Sequence, residues 1–400
     1  MTSKKVLTIG IGQFQLLGIE TLKKNGYTVI GIDGNQNAAG RALCDKFYHC
    51  ELNENEKIIE IAKSEKVDFA IGFECDPAVE AINIVNEMLG LPALNETARR
   101  TNLDKLLVRK IQKELKLNMP LVYEIENLEQ LKEIVQNSNH PWVLKPKASS
   151  GSRGVELIEQ NSNIEAAFQR SNVFKKNTDP LMLEEFVPGK EIAIDGFAHN
   201  GECHILTISF KDRTAPPYLL DEGLLISNNI EDPLAIEAKR QLNAIFNSIQ
   251  ADLSSPFHAE FLYNENGVYL VEYSLRGAGF NVFSKLIPLV SGFDTLNFLI
   301  NQSSGSVENW TFNSKSLNKN LYLGFFDGET GILKSIDLPS DLKNDPLVNE
   351  CNIYVSAGDT TKKLKSGADR LGHIVLKGTA SDSLREKFYA IKNKVKFIYE

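Results

Sequence analysis

Cysteine is scarce in this chain of 400 residues. Five cysteines are present, at positions 44, 50, 75, 203 and 351, and no two of them form a C-x-x-C pair. An odd number of scattered cysteines indicates neither a disulfide framework nor a zinc site. Long apolar runs are also missing, since none approaches the ~20 residues of a membrane-spanning helix. These absences predict reduced thiols in a cytoplasmic protein that does not enter a membrane.

The chain also lacks an excess of positive charge. Lys and Arg total 44 against 52 Asp and Glu, so the net charge is −8, which argues against a nucleic-acid partner. The apolar part of MTSKKVLTIGIG is too short for a signal peptide and predicts a first strand instead. With 42% apolar and 24% charged residues, the composition is that of a globular protein. The length predicts two to four subdomains.

Strand and helix signals alternate over the first part of the chain. Apolar strands are predicted at 6–12, 27–33 and 67–73, and helices at 14–25, 55–65 and 76–89. This alternation predicts a parallel sheet with helices packed on it. From residue 142 the pattern changes to strands separated by tight turns, and residues 320–400 predict another small α/β unit.

Two glutamates, Glu260 and Glu272, lie in a predicted β-hairpin with the sequence FHAEFLYNENGVYLVEYS. A three-residue loop ending at Gly267 would pair Asn264 with Val268 and place Glu260 opposite Glu272. Facing carboxylates destabilise a sheet unless a cation lies between them, and Mg²⁺ is held by such carboxylates together with substrate phosphates. A two-residue loop would place the glutamates on opposite faces. The structural alternative is a solvated hairpin with surface acids.

A glycine-rich loop, SSGSRG, lies between two predicted strands in KPKASSGSRGVELI (145–158). Its small residues would let backbone N–H groups approach a polyphosphate. The segment is not a Walker A motif, because G-x-x-x-x-G-K-[ST] is absent and no helix follows; a plain hairpin turn is the alternative. Lys145 closes an apolar strand, where an unpaired cation is costly, so it needs an anionic partner that bound phosphate would supply.

The segment EEFVPGKEIAIDG (184–196) is a candidate adenine site. Backbone N–H and C=O groups at the connection that follows Glu184 and Glu185 could contact the adenine edge. The Glu191 carboxylate could accept hydrogen bonds from ribose hydroxyls. An acidic hairpin on the surface is the alternative.

Taken in order, these segments resemble the ATP-grasp superfamily. The matching stretches are DK (104–105), VLKP (143–146), SSGSRG (149–154), EEFVPGKE (184–191), HAE (258–260) and VEYSLRGAG (271–279). The resemblance implies an α/β fold that is α+β in the ATP-binding part. The implied domains are a Rossmann-like pre-ATP-grasp domain (1–95), an ATP-grasp domain (96–305, with lobe A at 96–180 and lobe B at 181–305) and a small C-terminal α/β domain (306–400). The tail is similar to that of the biotin-carboxylase-like and amino-acid-ligase branches.

The resemblance also implies which residues bind the nucleotide. Lys105 and Lys145 would contact the ATP phosphates, and the loop around Ser150 and Gly151 would fold over them. The base and sugar would be bound by Glu184 at the adenine amino group, by the neighbouring Glu185 and Val187 along the adenine edge, and by Glu191 at the ribose.

The implied metal ligands are Glu260, Glu272 and Ser274, and the implied catalytic residues are Arg276 and Lys145. Ser274 departs from the family, which usually has Asn in E-x-N-x-R. A hydroxyl can still ligate magnesium, so Ser274 is kept as a candidate. The long connection at 211–229 is expected to be either a lid or a surface excursion, with Lys211 and Arg213 at its base as candidates for binding a substrate anion.

The activity implied is that of a ligase that joins a small-molecule carboxylate to an amine through an acyl phosphate. ATP and Mg²⁺, or Mn²⁺ in its place, would be required, and related enzymes suggest a homodimer. A purine-biosynthesis-type or carboxyphosphate-forming ligase is an alternative within the superfamily. A nicotinamide dehydrogenase is an alternative of another class, because Gly10, Gly12 and Asp33 are typical of a dinucleotide fold, although Gln15 occupies the third glycine position. A non-catalytic nucleotide-binding protein is the last alternative.

Overall fold

The computed structural model describes residues 3–148, 153–175, 179–215, 220–306 and 319–400. Within these ranges, no helix is both long and apolar enough to cross a bilayer.

The N-terminal part is a parallel sheet with helices packed on it, as the alternating pattern predicts. Its elements are β1 (Lys5–Ile9), α1 (Leu16–Lys24), β2 (Thr28–Asp33), β3 (Lys46–His49), α2 (Asn55–Glu65), β4 (Phe69–Ile71) and α3 (Val79–Met88). The strand order is β3-β2-β1-β4, and β3 was not expected from the sequence. The strands β1, β2 and β4 are almost wholly buried, because helices cover both faces of a sheet of this kind.

The next part of the chain forms a separate antiparallel sheet in the order β5-β8-β6-β7. Its elements, with the two helices that precede it, are α4 (Glu96–Thr101), α5 (Lys105–Glu114), β5 (Val122–Ile125), α6 (Leu128–Gln136), β6 (Trp142–Pro146), β7 (Glu156–Ile158), α7 (Ile164–Asn172) and β8 (Leu181–Glu185). Strand β8 therefore belongs to this sheet, although the predicted lobe boundary assigns it to lobe B. The domain boundaries themselves remain a prediction.

An eight-stranded sheet in the order β13-β12-β9-β10-β11-β14-β18-β16 dominates the rest of the molecule. The elements of this part are β9 (Lys190–His199), β10 (Glu202–Arg213), β11 (Asp221–Ser227), α8 (Pro233–Ile249), β12 (Ser255–Asn264), β13 (Gly267–Ser274), a π-helical turn (Val282–Leu286), α9 (Ile287–Ser291), α10 (Thr295–Ser303), β14 (Asn320–Phe326), β15 (Gly331–Asp337), β16 (Val348–Ile353), β17 (Thr360–Thr361), β18 (Gly372–Gly378), α11 (Leu384–Lys394) and β19 (Lys396–Tyr399). Strands from before and after residue 306 share this sheet, since β11 pairs with β14.

The expectation of a long connection at 211–229 was wrong. Strand β10 runs on to Arg213 and β11 returns from Asp221 to Ser227, so most of the segment is an antiparallel hairpin of the large sheet. Residues 216–219 lie outside the described ranges. The consequence is that Lys211 and Arg213 are held on a strand in the middle of a sheet, with their side chains on the same face.

Candidate active site

The two glutamates of the β12–β13 hairpin face each other as expected, but the turn that produces this pairing differs from the predicted one. Asn264 pairs with Gly267, so the loop has two residues and the three-residue prediction was wrong. By itself this shorter loop would place Glu260 and Glu272 on opposite faces. A β-bulge next to Glu260 shifts the register by one residue and restores the Glu260–Glu272 pair.

Each of these facing carboxylates has a lysine partner. Lys105 Nζ lies 3.0 Å from Glu272 Oε2, and Lys211 Nζ donates a short hydrogen bond to Glu260 Oε1. Burial opposes ionisation of Glu260, but Lys211 and His258 more than offset it and hold its pKa well below the ordinary value. Glu260 is therefore held in its anionic form, and each of the two carboxylates is paired with a lysine.

The donor set is smaller than a complete metal cage and fits magnesium best together with substrate phosphates. Within the described residues, no group of three or more His, Cys, Asp and Glu side chains is arranged to hold a metal. Mg²⁺ does not require such a cage, because it is commonly bound by one or two carboxylates plus substrate phosphates. Glu260 and Glu272 supply that number of carboxylates on adjacent strands. Ser274 lies next to His258 in the same hairpin and lines the same cavity, but its role as a ligand remains a prediction.

Lys145 has the anionic partner that its buried strand position requires. Lys145 Nζ lies 2.5 Å from Glu184 Oε2, and Arg109 Nε donates to Glu184 Oε1 at 2.6 Å. Burial alone would raise the pKa of Glu184, but the two cations lower it to about 2. Burial lowers the pKa of Lys145. Two cations sharing one carboxylate leave a net positive charge in the interior, which suits a polyphosphate.

Replacing Glu184 with glutamine should destabilise the fold, because Arg109 and Lys145 would then be buried without a counter-charge. The expected loss in the free energy of unfolding at pH 7 is about 3–5 kcal/mol, measured by urea denaturation. Because the pKa of Glu184 is depressed in the folded state, its contribution is complete above about pH 4.5 and declines as the pH falls towards 2. The exposed Glu329 provides a control, and Glu329→Gln should change the stability little. An equally small loss for Glu184→Gln would contradict the prediction.

Glu191, the candidate ribose acceptor, belongs to a buried ionic cluster. Lys211 Nζ and Arg213 Nη1 donate to Glu191 Oε1 at 2.7 and 2.6 Å. Arg213 Nη1 also lies 3.1 Å from Asp221 Oδ1. Burial raises the pKa of Glu191, and the two cations counteract the shift.

Arg276 is bound by a residue from the N-terminal part of the chain. Its Nε and Nη2 donate to the two carboxylate oxygens of Asp76 at 2.8 and 2.7 Å, a bidentate pair that fixes the guanidinium plane. Asp76 follows strand β4, at the edge where parallel strands end and ligands bind in such sheets. That position in the chain was the signal by which the sequence could have identified Asp76.

A second buried pair was also missed in the sequence. His258 Nδ1 lies 2.7 Å from Asp195 Oδ1, and His258 Nε2 lies 3.4 Å from Glu260 Oε1. Burial would lower the pKa of His258, but Asp195 raises it to about 9, with a further contribution from Glu260. The imidazolium therefore helps to keep Glu260 ionised. The signal available in the sequence was the HAE tripeptide itself, in which His258 and Glu260 share a strand face.

Two cavities meet at the glutamate pair. One, of about 860 Å³, lies between the four-stranded and the eight-stranded sheets and has apolar walls that include Val143 and Leu270. The other, of about 790 Å³, extends towards the N-terminal sheet past Arg276. Both are lined by Lys105, Lys211, Glu260 and Glu272.

The first cavity brings together most of the candidate nucleotide-binding residues. It is lined by Lys105, Lys145, Glu184, Glu185, Val187 and Glu191. Ser150 and Gly151 lie outside the described residues. The connection after Val187 passes close to the hairpin, since a Cβ on Gly189 would lie 2.6 Å from the carbonyl oxygen of Tyr263. The individual contacts of these residues with a nucleotide remain predictions.

The motif that suggested a nicotinamide dehydrogenase has a structural explanation. Asp33 Oδ2 accepts a hydrogen bond from the backbone N–H of Ile11 at 2.8 Å, and its Oδ1 accepts one from Asn35 at 2.8 Å. The carboxylate thus connects the ends of β1 and β2. A ribose is not needed to explain it.

A cavity between two sheets, lined by lysines on one side and a facing glutamate pair on the other, is the arrangement expected of an ATP-grasp domain. The matches to family models identify such a domain within the chain. The family model described as "ATP-grasp domain" matches residues 138–283, and "L-amino acid ligase C-terminal domain 2" matches residues 325–400.

Known proteins support this assignment. The formate-dependent phosphoribosylglycinamide formyltransferase of Methanococcus maripaludis is 28% identical over 195 residues, covering 46% of this chain and 48% of that protein. The phosphoribosylamine–glycine ligase of Methanothermobacter thermautotrophicus is 24% identical over 298 residues, covering 68% of this chain and 67% of that protein. The chain spans about half the length of the formyltransferase relatives. The crystal structure of an L-amino acid ligase from Bacillus licheniformis has the same fold, with a TM-score of 0.83, 16% identity and full coverage of both chains.

Proposed function

We propose that the protein is an ATP-dependent ligase that joins a carboxylate to an amine through an acyl phosphate and releases ADP and phosphate. The observation that carries this proposal is the facing pair Glu260 and Glu272 at the junction of the two cavities. A nucleotide in the first cavity would direct its terminal phosphate towards this junction. A second substrate in the other cavity would meet it there.

In the proposed reaction, a carboxylate oxygen attacks the γ-phosphorus of ATP while the bond to the β-phosphate oxygen breaks and ADP leaves. The amine nitrogen then attacks the carbonyl carbon, inorganic phosphate departs and the nitrogen loses a proton. Phosphoryl transfer depends mainly on positioning and on neutralising charge. Magnesium, when bound, would be held by Glu260 and Glu272 and would neutralise phosphate charge. Lys105, Lys145 and Arg276 would contribute the remaining positive charge, a role supported by their positions in the cavity walls.

The second cavity has features that suit the binding of an anionic group of a substrate. Arg370 stacks on Phe325, with its Cζ 3.5 Å from the ring centroid, and donates to the carbonyl oxygen of Asp221 at 2.8 Å. Among the described residues, none accepts a hydrogen bond from its buried Nε. Arg370 lines this cavity, where a substrate carboxylate would pair with its guanidinium, and this supports an amino acid as one substrate. The identities of the two substrates and the formation of a homodimer are both parts of this proposal.

Purified protein incubated with ATP, Mg²⁺ and pairs of carboxylates and amines should release phosphate only when both substrates are present. Hydroxylamine added in place of the amine should trap the acyl phosphate as a hydroxamate, which mass spectrometry detects. Omission of the carboxylate is the control and should remove both signals. ATP that binds without turnover over a broad panel of pairs would favour the non-catalytic alternative.

A ligase that acts on a phosphoribosyl amine is the second candidate. It is supported by the sequence similarity to the formyltransferases and to the phosphoribosylamine–glycine ligase. Phosphoribosylamine and phosphoribosylglycinamide therefore belong in the amine panel. Turnover with either compound as the amine, and with no amino acid as the amine, would select this candidate.

A further inference from the structure

Lys211 is one of the two lysines that line both cavities, the other being Lys105. Lys211 lies on the central strand β10 with its side chain 2% exposed. Its ammonium group contacts Glu191 at 2.7 Å, Asp221 at 3.7 Å and, through the short hydrogen bond, Glu260. The ammonium group therefore lies among three carboxylates.

Two of these anions are the residues that a nucleotide complex would require. In the proposed function, Glu260 holds the metal and Glu191 accepts the ribose hydroxyls. In this structure a single ammonium group contacts both carboxylates. A divalent cation that approached Glu260 would meet a positive charge already bound to the same Oε1 atom.

The type of residue suits an exchangeable role. Carboxylates held close together repel one another unless a cation lies between them, so the fold needs a positive charge here when no metal is bound. A lysine provides a compact charge on a flexible stem of four carbons, which can change position without moving the backbone. Arg213 on the same face is a planar fork held by Glu191 and Asp221 and lacks that freedom.

We propose that Lys211 is an internal counter-ion that competes with the divalent metal for Glu260. In the nucleotide-free protein it neutralises Glu191 and Glu260 and keeps the metal affinity low. When the metal binds together with a nucleotide, the ammonium group leaves Glu260 and pairs with the phosphates instead. The assignment of Glu260 as a metal ligand rests on the proposed function. The competition between Lys211 and the metal for Glu260 is a property of the nucleotide-free protein alone.

The first experiment measures Mn²⁺ binding to the nucleotide-free protein by electron paramagnetic resonance. Lys211→Met should tighten Mn²⁺ binding about 10- to 100-fold, the size of the effect that a cation a few ångströms away has on the proton affinity of a carboxylate. Lys239→Met is the matched control, because Lys239 makes an exposed ion pair with Glu202 at the other end of β10. Its Mn²⁺ affinity should equal that of the unmodified protein. Equal or weaker binding by Lys211→Met would overturn the proposal.

A second experiment allows for the instability that Lys211→Met can cause by leaving its carboxylates unpaired. Without nucleotide, Mn²⁺ should raise the melting temperature of Lys211→Met and leave that of the unmodified protein unchanged. The double variant Lys211→Met/Glu260→Gln should lose this stabilisation, which locates the ion at Glu260. Stabilisation that survives the second substitution would place the ion elsewhere and reject the mechanism.

Calorimetric titration of the unmodified protein with a non-hydrolysable ATP analogue and Mg²⁺ separates the two proposals. Absence of nucleotide binding would reject the proposed function, while the Mn²⁺ experiments would still decide the role of Lys211. Nucleotide binding together with unchanged Mn²⁺ affinity in Lys211→Met would keep the ligase and reject the counter-ion.

Discussion

Glu272→Gln is expected to lower substrate-dependent ADP release by about 10²–10³, because it removes one of the two facing carboxylates that would hold the metal. Glutamine has nearly the same shape, so the hairpin should remain folded. The loss should appear in kcat, since the metal acts on charge that develops during phosphoryl transfer. Coupled ADP detection at saturating substrates measures this effect.

The same hairpin provides the control for Glu272→Gln. Glu265 lies in the exposed two-residue loop, and Glu265→Gln changes the net charge by the same amount away from both cavities. Its turnover should equal that of the unmodified protein. Near-normal turnover of Glu272→Gln would contradict the assignment of the glutamate pair.

Arg276→Ala is expected to reduce turnover at least as strongly, by about 10²–10³, because in the proposed reaction the guanidinium would lie where negative charge develops. Arg276→Lys should recover little of this loss, because a single ammonium group cannot reproduce the bidentate geometry that Asp76 imposes. Substrate-dependent ADP release and the urea midpoint should be measured together.

Removal of Arg276 leaves the Asp76 carboxylate without its cation, so activity and stability must be separated. The double variant Arg276→Ala/Asp76→Asn removes both charges and should regain stability without regaining turnover. Arg240→Ala is a matched control, since Arg240 forms an exposed pair with Glu237. Recovery of turnover in the double variant would reduce Arg276 to a structural residue.

Local patterns in the sequence were sufficient for much of the fold. Alternating strands and helices predicted the N-terminal parallel sheet, and the glutamates of β12 and β13 were correctly expected to face each other. The loop length was wrong because a turn of two residues and a bulge together give the same pairing as a longer turn. Side-chain periodicity on either side of the loop does not distinguish these solutions.

Contacts between distant parts of the chain could not be predicted from the sequence. The buried position of Lys145 indicated an anionic partner, but nothing local identified Glu184 or its second cation, Arg109. Asp76 and Arg276 are 200 positions apart and meet because the N-terminal sheet packs against the π-helical turn and α10, which follow β13. Such pairs depend on tertiary packing, for which a single sequence carries no periodic signal.

The large sheet has a consequence for how a nucleotide would enter and leave. Because β11 pairs with β14, the strands before and after residue 306 are hydrogen-bonded into one sheet. The four-stranded sheet has its own apolar core, which includes Trp142 and Leu183. We therefore expect it to move relative to the large sheet about the two segments that join it to the rest of the chain, one before β5 and one after β8. Movement of the four-stranded sheet away from the large sheet would expose the phosphate end of the cleft. The glutamate pair and Arg276 would keep their positions relative to one another.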